Sequence, residues 1–406
     1  MKTVVMLTSS YPRYDSDNSS PFLLHLVKNL RSQGTHIHVI APDSNLDTSP
    51  FDEHVHYFRY FFRPWQRLAY GSGILPNLKN HPALWILVPF FVASMFFTLI
   101  TITRKYKPDV IHAHWVLPQG FLAVLAGILL KKPVVVSAHG ADAYAYRSRL
   151  LMAIKQFTLS HCNSWTANTV ATASAACPNL LRNKAVIIPM GVEVSHFSSG
   201  STEILRKKDD RRNIILFVGR LVEKKGVDDL IRAMAALPDD LRKTTILWVI
   251  GEGHKRTGLV QLASELGISD AVKFWGQIPN QDLPQYYAAA DLFVGPSVAD
   301  SSGDTEGQGV VFIEAFASKV CVIATRTGGI PEVIADGETG ILVDPNRPDQ
   351  LAREIQNLLL DKQKRQRLAS NAFKIAYDKY DWKNVSERFN QLYDQLLSNS
   401  HNATSK

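Results

Sequence analysis

The sequence predicts an α/β protein built from two doubly wound parallel-sheet domains, and three observations carry that prediction. The 406 residues exceed what one core usually serves. Short apolar strand candidates alternate with helical segments through both halves of the chain. A polar stretch from Glu193 to Arg212, with Ser198-Ser-Gly-Ser201 and mixed charges, divides the halves and reads as a linker.

Thr3 to Ser9 opens the first half as a strand. A helix from Phe22 to Gln33, a stop at Gly34 and a strand from Ile37 to Ala41 follow. The first turn, Ser9-Ser-Tyr-Pro-Arg-Tyr-Asp15, lacks the Gly-x-Gly-x-x-Gly of dinucleotide-binding domains, which disfavours a nicotinamide or flavin enzyme. Asp15-Ser-Asp17 is formally an Asp-x-Asp metal motif. Set among Ser and Asn with no third ligand nearby, it reads as a solvated turn.

From Tyr57 to Tyr70 aromatic residues interleave with Arg59, Arg63 and Arg67. Aromatic bodies with cationic tips suit a lipid headgroup layer, and they equally suit a core rim with solvated arginines. The uncharged run Pro82 to Thr103 is long enough to cross a bilayer. The strand Val110 to His114 follows at once, and a spanning helix would put two parts of one sheet on opposite sides of a membrane. A helix packed on the sheet, one face dipping into the membrane, fits better. His112 and His114 share a strand face and read as packing. A helix from Gly120 to Leu130 and a strand from Val134 to Ala138 lead to His139-Gly-Ala-Asp142, at a strand's carboxyl end, where ligands of such sheets bind. A helix from Leu150 to Cys162, a strand near Trp165 and Val186 to Gly191 close the first half.

The second half opens with Ile214 to Gly226: an apolar strand, a Gly-Arg turn, then Lys225-Gly before a helix from Val227. A guanidinium at Arg220 and an ammonium at Lys225, at one strand's carboxyl end, suit a diphosphate. Strands at Ile246–Ile250, Val272–Trp275, Leu292–Gly295, Val320–Ala324 and Gly340–Val343 repeat the βα pattern. Gly251 and Ile278 stand where two of them end, in turns that could line a base pocket. Asp304 to Ala317 joins a Gly-rich loop to an apolar helix starting at Val310. Gly309 allows close backbone approach, and the helix start offers N–H groups to an anion. Glu306 on the loop and Glu314 one turn into the helix would accept hydroxyl hydrogen bonds from a sugar-like ligand. Helices from Pro348 to Tyr380 and Trp382 to Leu397 finish the chain.

Composition narrows the function classes. With 46% hydrophobic and 20% charged residues the chain is ordinary globular protein. Cys162, Cys177 and Cys321 are scattered and odd in number, which argues for a reducing compartment and against a disulfide framework or zinc site. The net charge of +8 suits an anionic partner: a nucleotide sugar, a membrane surface or nucleic acid. The basic residues are dispersed and no recognition helix stands out, which disfavours nucleic acid. The N-terminus has too short an apolar run for a signal peptide.

Taken together, Gly219-Arg220, Lys225-Gly226, Glu306 to Glu314 and Thr327-Gly-Gly-Ile-Pro-Glu332 resemble, in that order, the family 4 retaining glycosyltransferases. The resemblance implies the GT-B fold, two Rossmann-like doubly wound domains facing across a cleft: 1–193 for the acceptor, 194–382 for the nucleotide sugar, and a 383–406 helix packing back on the first. It implies that Arg220 and Lys225 neutralise the donor diphosphate, that Glu314 binds the ribose, and that Glu306 positions the donor sugar. Gly309 and Val310 would give backbone amides, and His139 would reach the sugar from the first domain. No metal and no cofactor are expected beyond a UDP- or GDP-linked sugar as co-substrate. Lys319-Val-Cys321 departs from the family's usual turn, and the N-terminal Gly-Gly of many members is absent near Ser19-Ser-Pro21, which bears on the acceptor side. The expected function is metal-independent, retaining hexosyl transfer to a lipid-linked saccharide acceptor in surface polysaccharide biosynthesis. The expected location is the cytoplasm, at the inner face of the membrane. The rival readings are a catalytically idle scaffold of the same fold and a sugar-nucleotide epimerase.

Overall fold

A computed structural model describes every residue except 15–16, 18, 45–51, 72, 145–147, 179–184, 207–212, 302 and 405–406. The chain divides into two units, Met1–Pro189 with Val385–Lys406, and Met190–Asn384.

The first unit holds a seven-stranded sheet of β1 (Thr3–Leu7), β2 (His36–Pro42), β3 (Val55–Phe58), β4 (Val110–His114), β5 (Val134–Ala138), β6 (Ser164–Ala167) and β7 (Val186–Ile187). Its order is β3-β2-β1-β4-β5-β6-β7. Each strand pairs with its neighbours in parallel, with Val4 opposite both Ile37 and Val110. Such strands are covered on both faces, so β4 and β5 are buried along their whole length. That explains why His112 and His114 lie inside. His112 has protein partners on both ring nitrogens: its Nδ1 meets the Tyr393 hydroxyl at 2.7 Å and its Nε2 the Ser137 hydroxyl at 2.7 Å. β3 is not legible as a strand within the aromatic-arginine stretch. It forms because Val55 and Phe58 turn into the core while His56 and Tyr57 are only half-buried.

From Val385 onward the last helix, Trp382–Thr404, belongs to this first unit. Asp394 pairs with Lys2 at 2.7 Å, and Asn390 accepts from the Thr35 hydroxyl at 2.6 Å. Val385 and Tyr393 are fully buried.

The second unit holds a six-stranded sheet of β8 (Asn213–Val218), β9 (Thr245–Ile250), β10 (Val272–Gly276), β11 (Leu292–Gly295), β12 (Cys321–Thr325) and β13 (Ile341–Val343). Its order is β10-β9-β8-β11-β12-β13, again all parallel. Chain order reverses direction between β8 and β11. The crevice beyond the carboxyl ends of two such strands is where open α/β sheets bind ligands.

Two expectations change here. The described part of the stretch 193–212, up to Arg206, is not a plain linker: helices Val194–Ser198 and Glu203–Arg206 fold into the second unit, with Val194, Phe197 and Leu205 buried, while 207–212 lie outside the described residues. Three apolar anchors among polar residues suffice to dock it. The units divide at Pro189/Met190 instead of 193/194, because Val192 already belongs to the second unit. Its N–H donates to Tyr380 O at 2.8 Å, and its carbonyl accepts from Trp382 N–H at 3.1 Å.

Candidate functional site

In the second unit the predicted residues gather beyond the carboxyl ends of β8, β9, β10 and β11. Gly219 and Arg220 follow β8 directly, and Arg220 is exposed. A single helical turn, Glu223–Lys225, then brings Lys224 and Lys225 back toward the sheet. Lys224 Nζ bonds Asp304 Oδ2 at 2.9 Å, while Lys225 Nζ donates to Glu306 Oε2. Two successive lysines thus hold two acids of the Gly-rich loop, anchoring it at the switch point.

Glu306 is largely shielded, and burial by itself would raise its pKa. Contact with Lys225 and the charges of Lys224 and Arg220 outweigh burial and hold the carboxyl below its ordinary range. Glu306 is therefore an acceptor only at neutral pH, fixed by a cation.

The Val310–Ala317 helix starts where its sequence predicts, because Gly309 before it has φ +75°, a conformation that L side chains resist. A Cβ on Gly309 would also lie 2.5 Å from the Phe312 ring and 3.3 Å from Glu306 Cγ. Gly328 plays the same part from the loop after β12. Its φ is +55°, a Cβ there would lie 2.1 Å from the Glu306 carbonyl oxygen, and Gly329 N–H donates to that oxygen at 2.9 Å. The Thr327-Gly-Gly329 segment is thus a backbone cradle for Glu306.

Glu314, half-buried one turn into the helix, accepts from the Tyr287 hydroxyl at 2.8 Å. Burial raises its pKa to about 7, against the lowering effects of the Tyr287 hydrogen bond and the Lys225 charge. A carboxyl poised there can both donate and accept hydrogen bonds near neutrality, which suits hydroxyl groups. Val310 is half-buried at the helix start. Gly251 packs between the ends of β8 and β10: its N–H donates to Gly276 O at 2.8 Å, and a Cβ would lie 2.0 Å from Gly219 O. Ile278 is half-buried and packs against the core beneath.

Sequence reasoning missed two supports, one of the Val310–Ala317 helix and one of the loop before it. Tyr287 is one. Gln308 is the other: buried between two glycines, it accepts from Met190 N–H at 2.8 Å and donates to Met190 O at 3.2 Å. Neither leaves a local signal, since each partner is remote in sequence.

In the first unit, His139 follows β5, its ring among Phe22, Trp115 and His114. His114 Nδ1 lies 3.2 Å from His139 Nε2. Burial lowers the His139 pKa to about 4, so the imidazole is neutral at physiological pH. Asp142 straps the loops after β4 and β5, accepting from Val116 N–H at 2.7 Å and His139 N–H at 2.8 Å. Burial raises its pKa to about 6.

Of the Asp15-Ser-Asp17 motif, residues 15 and 16 lie outside the described residues. Asp17 is taken up by Arg13 at 2.6 Å and by the Ser19 hydroxyl at 2.6 Å. No group of three or more His, Cys, Asp or Glu placed to hold a metal occurs among the described residues. None of the three cysteines is in a disulfide and all are buried, and burial pushes the Cys162 and Cys321 thiols up to about 12, so they act as packing groups.

Comparison with known proteins places this arrangement. Residues 20–196 match the family described as Glycosyltransferase Family 4, and residues 202–375 match Glycosyl transferases group 1. An uncharacterized glycosyltransferase of Methanocaldococcus jannaschii is 30% identical over 336 residues, covering 79% of this chain and 83% of the relative. A GDP-mannose-dependent alpha-(1-6)-phosphatidylinositol monomannoside mannosyltransferase of Mycolicibacterium smegmatis is 34% identical over 212 residues. That match spans 50% of this chain and only 55% of the mycolicibacterial protein. Among solved structures, Anabaena HepE in complex with UDP superposes with a TM-score of 0.75 at 20% identity, covering 97% of this chain and 100% of that one. Sucrose-phosphate synthase from Thermosynechococcus elongatus gives 0.76 at 22% identity, covering 98% and 100%. The two parallel sheets and these superpositions establish the GT-B fold. The family matches on both halves of the sequence, with the Methanocaldococcus jannaschii relative at 30% identity over most of both chains, make the chain a member of glycosyltransferase family 4.

Proposed function

We propose that the protein transfers a hexosyl group, with retention of configuration, from a UDP- or GDP-linked sugar to a lipid-linked saccharide in surface polysaccharide biosynthesis. The observation that carries the reading is the cluster at the β8/β11 switch point. There Arg220, Lys225 and the first N–H groups of the Val310–Ala317 helix offer positive potential beside the two carboxyls Glu306 and Glu314.

The bond from the anomeric carbon to the diphosphate oxygen breaks as the acceptor hydroxyl attacks the same face, and the hydroxyl proton passes to the departing phosphate. Negative charge grows on the leaving group, and preorganised cations there lower the barrier. Arg220 and Lys225 take the role a metal ion plays elsewhere, so we propose that the reaction needs none. Glu306 receives donor sugar hydroxyls and Glu314 the ribose. Neutral His139 serves as a hydrogen-bond group to the sugar, since its lowered pKa keeps it uncharged. The naming of a GDP-mannose-dependent relative and of a UDP-bound structural neighbour supports both nucleotide classes. Three buried cysteines outside any disulfide suit the cytoplasm.

The test is release of nucleoside diphosphate from a panel of UDP- and GDP-sugars with and without membrane lipid extract, in the presence of a chelator. Acceptor-dependent release that survives chelation is expected. Turnover of donor without acceptor would favour the epimerase reading. Thermal stabilisation by a nucleotide without release under any condition would favour the idle scaffold.

A further inference from the structure

The charge of this chain is unevenly spread. From His54 to Pro108 there is no Asp or Glu, while Arg59, Arg63, Arg67, Lys79, Arg104, Lys105 and Lys107 fall in that stretch. Those seven positive charges compare with a net +8 for the whole protein.

The same stretch carries the first unit's largest display of bare aromatic surface. Phe62 is 75% exposed, Trp65 59%, Trp85 58%, Ile86 70%, Phe90 51% and Phe97 68%. They form one face. The Phe61 ring meets Phe62 at 5.3 Å and Phe90 at 5.5 Å, joining the loop after β3 to the Val88–Tyr106 helix, and the Ser94 hydroxyl donates to Arg59 O at 2.7 Å. Phe90 and Phe97 are seven residues apart, two turns along the same side of the helix. The opposite side, Phe91, Met95, Leu99 and Ile102, is buried in the core. Arg63 and Arg67 are exposed within the loop, and Arg59 is 3.2 Å from Asp43.

We infer that this face, Phe62 and Trp65 with Trp85 and Phe90, rimmed by Arg63 and Arg67, docks the protein on the surface of an anionic lipid bilayer. Aromatic side chains sit at headgroup depth, and cations beside them draw anionic lipids. A second copy is the poorer occupant. A two-fold contact would bring the same patch to itself and set arginine against arginine. A spanning helix is also the poorer reading. Only 22% of the most apolar 18-residue window is buried, yet those buried residues are the stripe that packs on the sheet. The segment therefore lies along the interface, one side in the core and the other in lipid.

The strands fix where the lipid would be. All strands of the first unit run parallel, so the loop after β3 and the loop carrying His139 after β5 leave the same edge of the sheet. In the order β3-β2-β1-β4-β5 they are four strand spacings apart, roughly 19 Å.

The test is flotation of the purified full chain with vesicles of phosphatidylcholine alone or with phosphatidylglycerol added, without donor, so that the result does not depend on the transfer reaction. Binding to the anionic vesicles only is expected, weakened by salt. R63Q/R67Q should weaken it about 30-fold, because each cation removed from an anionic surface lowers affinity about fivefold. F62S/W85S/F90S should abolish it while the protein still unfolds as cooperatively as the parent, because these side chains lie at the surface and outside the buried stripe of the helix. Binding to neither vesicle, or binding that R63Q/R67Q leaves intact, would overturn the inference. So would a lipid-free dimer dissolved by the aromatic variant in sedimentation, or protein that alkaline carbonate cannot strip from membranes.

Discussion

Lys225 and Glu306, 81 residues apart in sequence, form a salt bridge whose two side chains are 14% and 15% exposed. The pair joins the loop after β8 to the loop after β11 and sets the acid's protonation. A carboxyl more acidic in the folded state lends stability above its ordinary pKa of 4.5, and loses it as pH falls through the folded value. Lys225→Ala should therefore flatten the acid limb of the stability curve below about pH 4.5, cost about 1–3 kcal/mol at neutral pH, and lower turnover by about two to three orders of magnitude. Arg220→Ala, at an exposed position, should lower turnover by a similar factor while shifting stability by no more than about 0.5 kcal/mol. Parallel urea melts and nucleotide-release rates distinguish the two.

Glu314 behaves in the opposite sense. Its pKa is raised from 4.5 to about 7, so its contribution to stability is complete below pH 4.5 and is lost as pH rises through 7. Glu314→Gln mimics the protonated form. It should stabilise the protein above pH 7 by up to about 3 kcal/mol, and weaken nucleotide binding about tenfold by losing an acceptor to the ribose. Melting curves at pH 5 and 8, with and without UDP or GDP, measure both effects.

The first unit should be acid-labile. Burial lowers the pKa of His112 to about 3 and of His139 to about 4, and holds His114 well below 6.5. His38 falls to about 4, from burial and then the neighbouring His36, His56, His54 and Arg31, and His56 is lowered too. These imidazoles take up protons on unfolding between about pH 6.5 and 4, so stability falls as pH falls through that window, by about 1.4 kcal/mol per pH unit for each proton. His38→Phe keeps the stack on Tyr106, whose ring centroid is 3.8 Å away, and should reduce the slope by about one proton. Denaturant midpoints from pH 7 to 5 provide the check.

Gly328 touches no proposed ligand, yet Gly328→Ala would press a Cβ against the Glu306 backbone at positive φ. We expect a loss of about 1–3 kcal/mol and a turnover defect comparable to that of a Glu306 variant. Full activity in Gly328→Ala would show that the Glu306 backbone position is not critical.

How far the chain could be read from its residues follows from where each partner lies. The Val310–Ala317 helix was legible because Gly309 and the apolar run sit together, and most strands because buried parallel strands are continuous apolar runs. Lys225 and Glu306 stand out separately in the sequence. Their direct contact was not readable, because it depends on which strands the sheet makes adjacent. Tyr287 with Glu314, Gln308 with Met190 and His114 with His139 were invisible for the same reason. β3 and the helices within 194–206 were hidden differently: only one or two described inward residues hold each, too few to set a period.

The placement of Val385, Phe389 and Tyr393 in the first unit's core bears on how the polypeptide is made. A ribosome delivers residue 189 long before residue 385, and at roughly 5–20 residues per second the interval is about 10 to 40 s. Throughout it the nascent amino-terminal half has His112 without its tyrosine and a groove awaiting its last helix. The half translated second can therefore be finished first, and the half translated first matures only once residues 385 to 393 have been added.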